Sequence, residues 1–320
     1  MLSISARDID QALSFPGLVE TLREGFRAGA VQPVRHHHGV ERPSGADTTL
    51  LLMPAWTDFS KGVSGNGYIG VKIVTVSPDN NAIGKPAVMG LYLLLDGTTG
   101  EPKALIDGQR LTQWRTAAAS ALAADYLARK DASKLLVVGA GALSPFLARA
   151  HSAVRPIREI RIWNRTPANA QKVVDELAGL GLDVSVAGDL DEAIGWADVV
   201  SCATISSTPV VKGALLRPGT HVDLVGAFTP TMRESDDDAV ARSRVYVDTR
   251  AGATKEAGDI VQALASGVLT PEAIVADLHE LARGEKSGRG GDQEITLFKS
   301  VGAALEDLAA AISVFGKVSA

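Results

Sequence analysis

The sequence predicts an α/β protein of two domains, one a doubly wound parallel sheet and the other a mixed α+β unit. Three observations predict it. From Lys134 onward, short runs of Val, Ile and Leu alternate with helix-patterned segments, the signature of parallel strands joined by helical crossovers. A glycine-rich turn separates the first of these strands from its helix. The first third instead shows longer strands divided by turns, a hairpin-like antiparallel pattern.

Taken in order, Ser5 to Ala28 carries apolar residues at helical spacing, punctuated by Asp8 and by Phe15-Pro16-Gly17. Thr48 to Pro54, Tyr68 to Val76 and Val88 to Leu95 read as strands, Asp96 to Gly100 as a turn, and Pro102 to Ile106 as a further strand. Leu111 to Arg129 reads as one long helix that carries the chain into the next domain. There the strands are Leu135 to Val138, Glu159 to Trp163, Val184 to Ala187, Val199 to Ala203, His221 to Val225 and Val245 to Asp248. Helices at Pro145 to Ala153, Ala168 to Leu177 and Leu190 to Trp196 fall between the earlier of them. Gly284 to Asp292, rich in glycine and charge, reads as a mobile loop, and Thr296 to about Phe315 as the final helix.

A chain of 320 residues is comfortable for two such domains. Its formal charge of −5 comes with no basic block, which argues against a nucleic-acid partner. The acidic run Glu234 to Asp238 reads as a solvated helix start. The single cysteine, Cys202, precludes a disulfide within the chain and fits a reducing compartment. It lies in the apolar run Asp198 to Ala203 and reads as a buried structural thiol rather than a nucleophile. Asp8, Asp10, Glu20 and Glu24 interrupt any signal-peptide pattern, and the apolar segments are too short to span a bilayer. The expected location is the cytoplasm, with no membrane partner.

The motif richest in chemistry is Leu135-Leu-Val-Val-Gly139-Ala-Gly141-Ala-Leu-Ser144. Gly139 permits a tight turn off the strand, and Gly141 removes a side chain where backbone must approach a pyrophosphate. Ser144 replaces the third glycine of the fingerprint and is small enough for close packing. The following helix would aim its free N–H groups at the phosphates. The next strand ends in Asn164-Arg165-Thr166, where an NAD site usually ends in a carboxylate. A carboxylate repels a 2′-phosphate and Arg165 can pair with it, so the pattern favours NADPH, with NADH weaker. The domain reads as a Rossmann domain.

Three cations sit among apolar neighbours in the first third: Arg35, Lys72 within Ile69-Gly-Val-Lys-Ile-Val74, and Arg115 within Thr112-Gln-Trp-Arg-Thr116. A lysine inside an apolar strand is costly unless paired. The residues leave two readings open, a structural salt bridge to a distant carboxylate or a pocket for an anionic substrate. The run His36-His-His38 suggests a metal, but adjacent residues on an extended strand alternate faces and no acid or thiol lies at helical ligand spacing nearby. It reads as a polar loop or strand edge.

At this point the chain resembles the ornithine cyclodeaminase/mu-crystallin family over nearly its whole length. The matching stretches are Val31-Gln-Pro-Val-Arg35, Met53-Pro-Ala55, Val71-Lys-Ile-Val74, Leu111-Thr-Gln-Trp-Arg-Thr-Ala-Ala118, Gly139-Ala-Gly141, Ile160-Arg-Ile-Trp-Asn-Arg-Thr166 and Ile295-Thr-Leu-Phe-Lys-Ser-Val-Gly302. The resemblance implies a substrate-binding and dimerisation domain at residues 1–118, rejoined by 293–320, and an NAD(P)-binding domain at 119–292. It implies a homodimer, and that Arg35, Lys72 and Arg115 surround a substrate carboxylate and the nicotinamide, with Lys72 catalytic and with Phe228 and Val301 among the substrate contacts. It further implies cofactor contacts from Ala142, Leu143, Asn164, Arg165, Thr166, Thr204, Val225 and Ser300. The resemblance thus favours the pocket reading of the three cations.

Departures from the family pattern narrow the expected reaction. Cyclodeaminase and alanine dehydrogenase patterns place an aspartate where this chain has Phe228. A cyclodeaminase glutamate is Leu51 here, and the family's glutamine after the glycine-rich turn is Leu143. Loss of both acids removes the handles for an ornithine ammonium and suits a ring of methylenes. The string Gly226-Ala-Phe-Thr-Pro-Thr-Met-Arg-Glu234 resembles the branch that reduces Δ1-pyrroline-2-carboxylate to L-proline, with Δ1-piperideine-2-carboxylate as the companion substrate. The competing readings are an ornithine cyclodeaminase, an amino acid dehydrogenase of the alanine dehydrogenase kind, and a non-enzymatic mu-crystallin-like binder.

Overall fold

The computed structural model describes residues 1–61 and 65–319. The chain divides into two compact units, Met1–Thr116 with the segment from Ala304 onward, and Ala117–Ala303.

The first unit holds β1 (Leu2–Ile4), α1 (Ala6–Ala12), α2 (Phe15–Ala28), β2 (Ala30–Val31), β3 (His36–Val40), β4 (Thr48–Thr57), β5 (Tyr68–Val76), β6 (Val88–Asp96) and β7 (Pro102–Asp107). The strands form one sheet in the order β1-β7-β6-β5-β4-β2, with β3 paired to β4. All its pairings are antiparallel except that of β1 with β7. Phe15-Pro16-Gly17 does not break the helix before it. Pro16 instead sits in the first turn of α2, where its missing N–H costs nothing, and the break falls at Leu13–Ser14. Helix α3 (Gly108–Leu127) leads out of this unit.

The second unit alternates strand and helix as the sequence pattern predicts. Its early elements are β8 (Lys134–Val138), α4 (Ser144–Val154), β9 (Glu159–Trp163), α5 (Pro167–Leu177), β10 (Asp183–Val186), α6 (Leu190–Trp196), β11 (Val199–Cys202) and β12 (His221–Leu224). It continues with α7 (Asp237–Ala241), β13 (Ser243–Val247), α8 (Arg250–Glu256), α9 (Gly258–Ser266), β14 (Ile274–Asp277), α10 (Leu278–Ala282) and β15 (Ile295–Lys299). The eight strands run parallel in the order β10-β9-β8-β11-β12-β15-β13-β14. Apolar clusters cover both faces, one including Leu136, Val138 and Val200 and the other Leu135, Val137 and Ile162. Strands covered on both faces read as continuous apolar runs, which is why they stood out in the sequence.

Two expectations are corrected here. Residues 296–299 are not helical: Ile295–Lys299 is a fully buried strand between β12 and β13, and the final helix α11 (Ala304–Val318) starts later. A short apolar run does not by itself distinguish a buried strand from a helix. Gly302, at φ 82°, turns the chain between the two elements in a conformation that favours glycine. The chain therefore returns to the first unit at Ala304 rather than at 293. The loop Gly284 to Asp292, read as mobile, is held by Arg289, whose guanidinium donates to the carbonyls of Leu127, Gly219 and Gly291 at 2.6–3.1 Å.

Helix α11 packs on β4, β5 and β6 and against α2. The approach to α2 is close, because a Cβ at Gly25 would lie 3.2 Å from that of Ala309. Among the described residues, no helix is long and apolar enough to cross a membrane.

Candidate active site

In the first unit, strand pairing puts Met53, Lys72 and Tyr92 side by side on the face that α11 covers. Lys72, almost fully buried, places its Nζ 2.7 Å from Asp307 Oδ2. Arg115, on α3, donates from Nε to Asp307 Oδ1 at 3.0 Å and from Nη1 to Glu306 at 2.8 Å. The distant carboxylate that the burial argument demanded is thus a pair of adjacent acids in α11. Gly70 lacks a Cβ because the Tyr92 hydroxyl occupies that space, 1.9 Å from where the Cβ would be.

Burial and the neighbouring Arg115 pull the Lys72 ammonium down to about 8, against the pull of Asp307. Burial opposes charge on Asp307 as well, but Arg115 and Lys72 outweigh it and hold the carboxyl below its ordinary value. Burial works against the Arg115 guanidinium, yet Asp307 and Glu306 overcome it and raise its pKa. Arg35 lies half-buried between β2 and β3, near enough that its charge helps to lower the Lys72 pKa. The cluster therefore gathers all three cations singled out in the sequence, with an ion pair as its core.

In the second unit, all strands being parallel, their carboxyl ends share one edge. The loops there carry Gly139 after β8, Asn164, Arg165 and Thr166 after β9, Thr204 after β11, Val225 and Phe228 after β12, and Ser300 and Val301 after β15. Gly139 has φ 110°, and a Cβ there would meet the Ala203 carbonyl at 2.6 Å. A Cβ at Gly141 would meet nothing within 4 Å, so the turn opens onto free space at the N-terminus of α4. Such open space at the start of a helix fits a dinucleotide pyrophosphate. Ser144 is more than a tolerated substitute: its hydroxyl donates to the Gly139 carbonyl at 2.9 Å and fastens the turn. Ala142 is exposed and Leu143 half-buried beside it.

The end of β9 presents no carboxylate. Asn164 donates to the Thr166 carbonyl at 3.0 Å, while Arg165 and Thr166 are exposed. Val225 and Ser300 are buried, and Phe228 is exposed at 43%. Asp248 accepts the N–H groups of Val301 and Gly302 at 2.7 and 2.8 Å and so shapes the loop after β15. Cys202 is buried, and burial pushes its thiol well up. His36 to His38 lie exposed on β3, and among the described residues no group of three or more His, Cys, Asp or Glu could hold a metal.

Sequence reasoning missed the acidic partners. Glu234, read as part of a solvated run, is fully buried because it receives backbone donors from two loops. Asp307, Glu306, Asp259 and Lys299 are fully buried too. The signal for the first two was present: adjacent acids inside the apolar string Ala304-Leu-Glu-Asp-Leu-Ala309 need partners as much as Lys72 does.

The family model of the ornithine cyclodeaminase/mu-crystallin family matches residues 3–320. The chain is 40% identical over 306 residues to the Delta(1)-pyrroline-2-carboxylate reductase of Paracoccus denitrificans, covering 95% of this chain and 93% of that protein. Among solved structures, it is similar to the Thermococcus litoralis Delta(1)-pyrroline-2-carboxylate reductase in complex with NADH and L-proline. The TM-score is 0.92 at 34% identity, over 100% of this chain and 98% of the other. It is also similar to an archaeal alanine dehydrogenase dimer with bound NAD, at TM-score 0.89 and 31% identity, over 100% of this chain and 96% of that one.

The ion cluster makes a stability prediction. Asp307→Asn removes the carboxylate that Lys72 and Arg115 share, and unpairing a buried charge costs about 3–5 kcal/mol. Urea denaturation should show that loss as a lower midpoint. An unchanged midpoint would mean that Asp307 does not offset the buried cations.

Proposed function

The chain belongs to the ornithine cyclodeaminase/mu-crystallin family, and from that premise we propose that it reduces Δ1-pyrroline-2-carboxylate to L-proline with NADPH. Δ1-Piperideine-2-carboxylate, giving L-pipecolate, is the companion substrate. The observation that carries this reading is the pairing of Lys72 with Arg115 through Asp307, with Arg35 near enough to add its charge, beside an apolar sheet face that carries Leu51 in place of an acid. The full-length likeness to pyrroline-2-carboxylate reductases supports it.

The second unit would hold the dinucleotide through Gly139, Gly141, Ala142 and Leu143 at the pyrophosphate, and through Thr204, Val225 and Ser300 beyond it. When bound, the cofactor supplies a hydride. In the net reaction that hydride joins C2 of the ring and one proton joins the ring nitrogen, turning the C=N bond into an amine. Arg35 and Arg115 would fix the substrate carboxylate, Arg115 through Nη2, since Asp307 and Glu306 take its Nε and Nη1. Phe228 and Val301 would line the ring. Lys72 would hold the proton at Nζ, because its lowered pKa makes the ammonium a ready donor near neutral pH.

NADPH is proposed over NADH because Arg165 stands where a carboxylate would repel a 2′-phosphate. A homodimer is proposed through the outer face of the first sheet. There Leu52, Ile73 and Leu91 form a cross-strand row, with Met89 beside it, and Ile73 and Leu91 are 38% and 48% exposed. An apolar patch of this kind on a sheet marks a contact surface. The lone buried Cys202 fits a cytoplasmic location.

Purified protein with Δ1-pyrroline-2-carboxylate should oxidise NADPH and yield L-proline, and kcat/KM should fall as pH rises through about 8, where the Lys72 ammonium is lost. Ammonia release from L-ornithine without NADPH consumption would replace this reading with a cyclodeaminase. Arg165→Ala should raise the KM for NADPH about tenfold or more, the worth of one charge-assisted contact, and leave that for NADH nearly unchanged. Equal changes would defeat the 2′-phosphate assignment. Leu91→Glu should convert a dimer to a monomer in light scattering, and an intact dimer would place the interface elsewhere.

A further inference from the structure

The second unit contains a buried charge cluster that the proposed chemistry does not use. Glu234, Asp259 and Lys299 are all fully buried. Glu234 lies between β12 and α7, and its carboxylate reaches two different loops. Oε1 accepts the Thr204 N–H at 2.7 Å and the Thr204 hydroxyl at 3.0 Å. Oε2 accepts the N–H groups of Gly226 at 2.7 Å and Ala227 at 3.2 Å. The loops joined in this way are those that follow β11 and β12.

Glu234 is itself fixed from behind. Asp259 Oδ1 accepts the N–H groups of Glu234 and Ser235 at 2.9 and 2.8 Å. Lys299 Nζ donates to the Leu224 carbonyl at 3.2 Å and lies 3.6 Å from both Glu234 Oε2 and Asp259 Oδ2. The two loops are in backbone contact as well, since a Cβ at Gly226 would fall 1.9 Å from the Thr204 carbonyl oxygen and 2.6 Å from Glu234 Oε1.

Burying a carboxylate and an ammonium costs stability that an apolar pair would not. What the carboxylate provides is four acceptor contacts spread over two strand ends. In an open parallel sheet, a ligand lies outside the carboxyl ends of the strands where the winding reverses. Here the reversal falls between β8 and β11. The glycine turn and β9 serve the adenosine half of a dinucleotide, and the loops after β11 and β12 serve the other half.

We propose that Glu234 is the positioning residue for the nicotinamide half of the cofactor, holding the Thr204 and Gly226–Ala227 loops in register from beneath. The inference rests on the dinucleotide reading above. Because Glu234 bonds the loops after β11 and β12 and neither the glycine turn nor Arg165, the two halves of the cofactor should respond differently to its loss.

The test titrates wild type, E234Q and E234D with adenosine 2′,5′-bisphosphate, which carries only the adenosine half, and with NADPH, with ADP and NADH run in parallel. E234Q turns one acceptor into an N–H₂ group facing backbone donors, and E234D keeps the charge but shortens the reach. In both, the bisphosphate should bind within about twofold of wild type while NADPH weakens about tenfold or more, with altered bound-NADPH fluorescence. NADPH binding as in wild type would overturn the proposal. So would equal weakening of both ligands, which would mark Glu234 as a general structural residue. A wild type that binds the bisphosphate and NADPH no better than a protein without a nucleotide site would overturn the cofactor reading itself, and this inference with it. A preference for ADP and NADH would correct only the choice of cofactor, and the comparison would then run on those ligands.

Discussion

The contact on which the first unit depends is the sharing of Asp307 by Lys72 and Arg115, out of reach of water. Each partner alone would be an expensive buried charge, and together with Glu306 they make a group whose charges balance. The arrangement dictates topology. Lys72 is on β5, Arg115 on α3 and the acids on α11, so the end of the chain must come back to the sheet formed by its beginning. The apolar contacts of α11 with α2 and the strands supply most of the cohesion, but they do not select a register as sharply as one carboxylate bridging two cations. In the proposed reading, the same contact would prepare the cations for an anion. Their geometry is set before any ligand arrives, so binding a carboxylate need not order them.

The second unit uses the same device at a different place. Parallel strands bring the ends of β8, β9, β11, β12 and β15 to one edge, but backbone pairing stops where the loops begin. Beyond that point, short polar ties take over: Ser144 to Gly139, Asp248 to Val301 and Gly302, and Glu234 to Thr204, Gly226 and Ala227. Each tie is an acceptor or donor that a local pattern would dismiss as loop polarity. Stability is given up in burying them, and definite loop geometry is gained.

This explains what the sequence could and could not disclose. The parallel sheet was legible because strands buried on both faces are apolar throughout, and the glycine turn because Gly139 needs a left-handed φ. Lys72 was legible as a charge in need of a partner, since the cost of burying it is a local fact. The pairing itself was not, because Asp307 is 235 residues further on (307 minus 72) and nothing local to either residue names the other. Glu234 was misread because a run of acids before a helix is usually solvated, and only the fold turns its first member inward. Residues 296–299 were misread because an apolar run next to a helical one looks continuous until the sheet claims it.

The nature of the ligand follows from where the acids are already committed. In the first unit, Asp307 and Glu306 are engaged with Arg115, and Asp307 with Lys72 as well. Leu51, on β4 and paired to Val74 on the face of Lys72, offers only hydrocarbon where a cyclodeaminase pattern has a glutamate. In the second unit, the loop after β12 presents Phe228, half-exposed, where that pattern has an aspartate. A diamino acid would bring a second ammonium with neither acid to receive it, and leaving a charge so poorly paired is costly. A molecule with one carboxylate and an otherwise apolar ring makes no such demand: in the proposed reading its charge would pair with the arginines of the first unit, beside the hydrocarbon of Leu51. The loss of two acids is therefore as informative as the retention of three cations, because a binding site discriminates through what it declines to pair as much as through what it pairs.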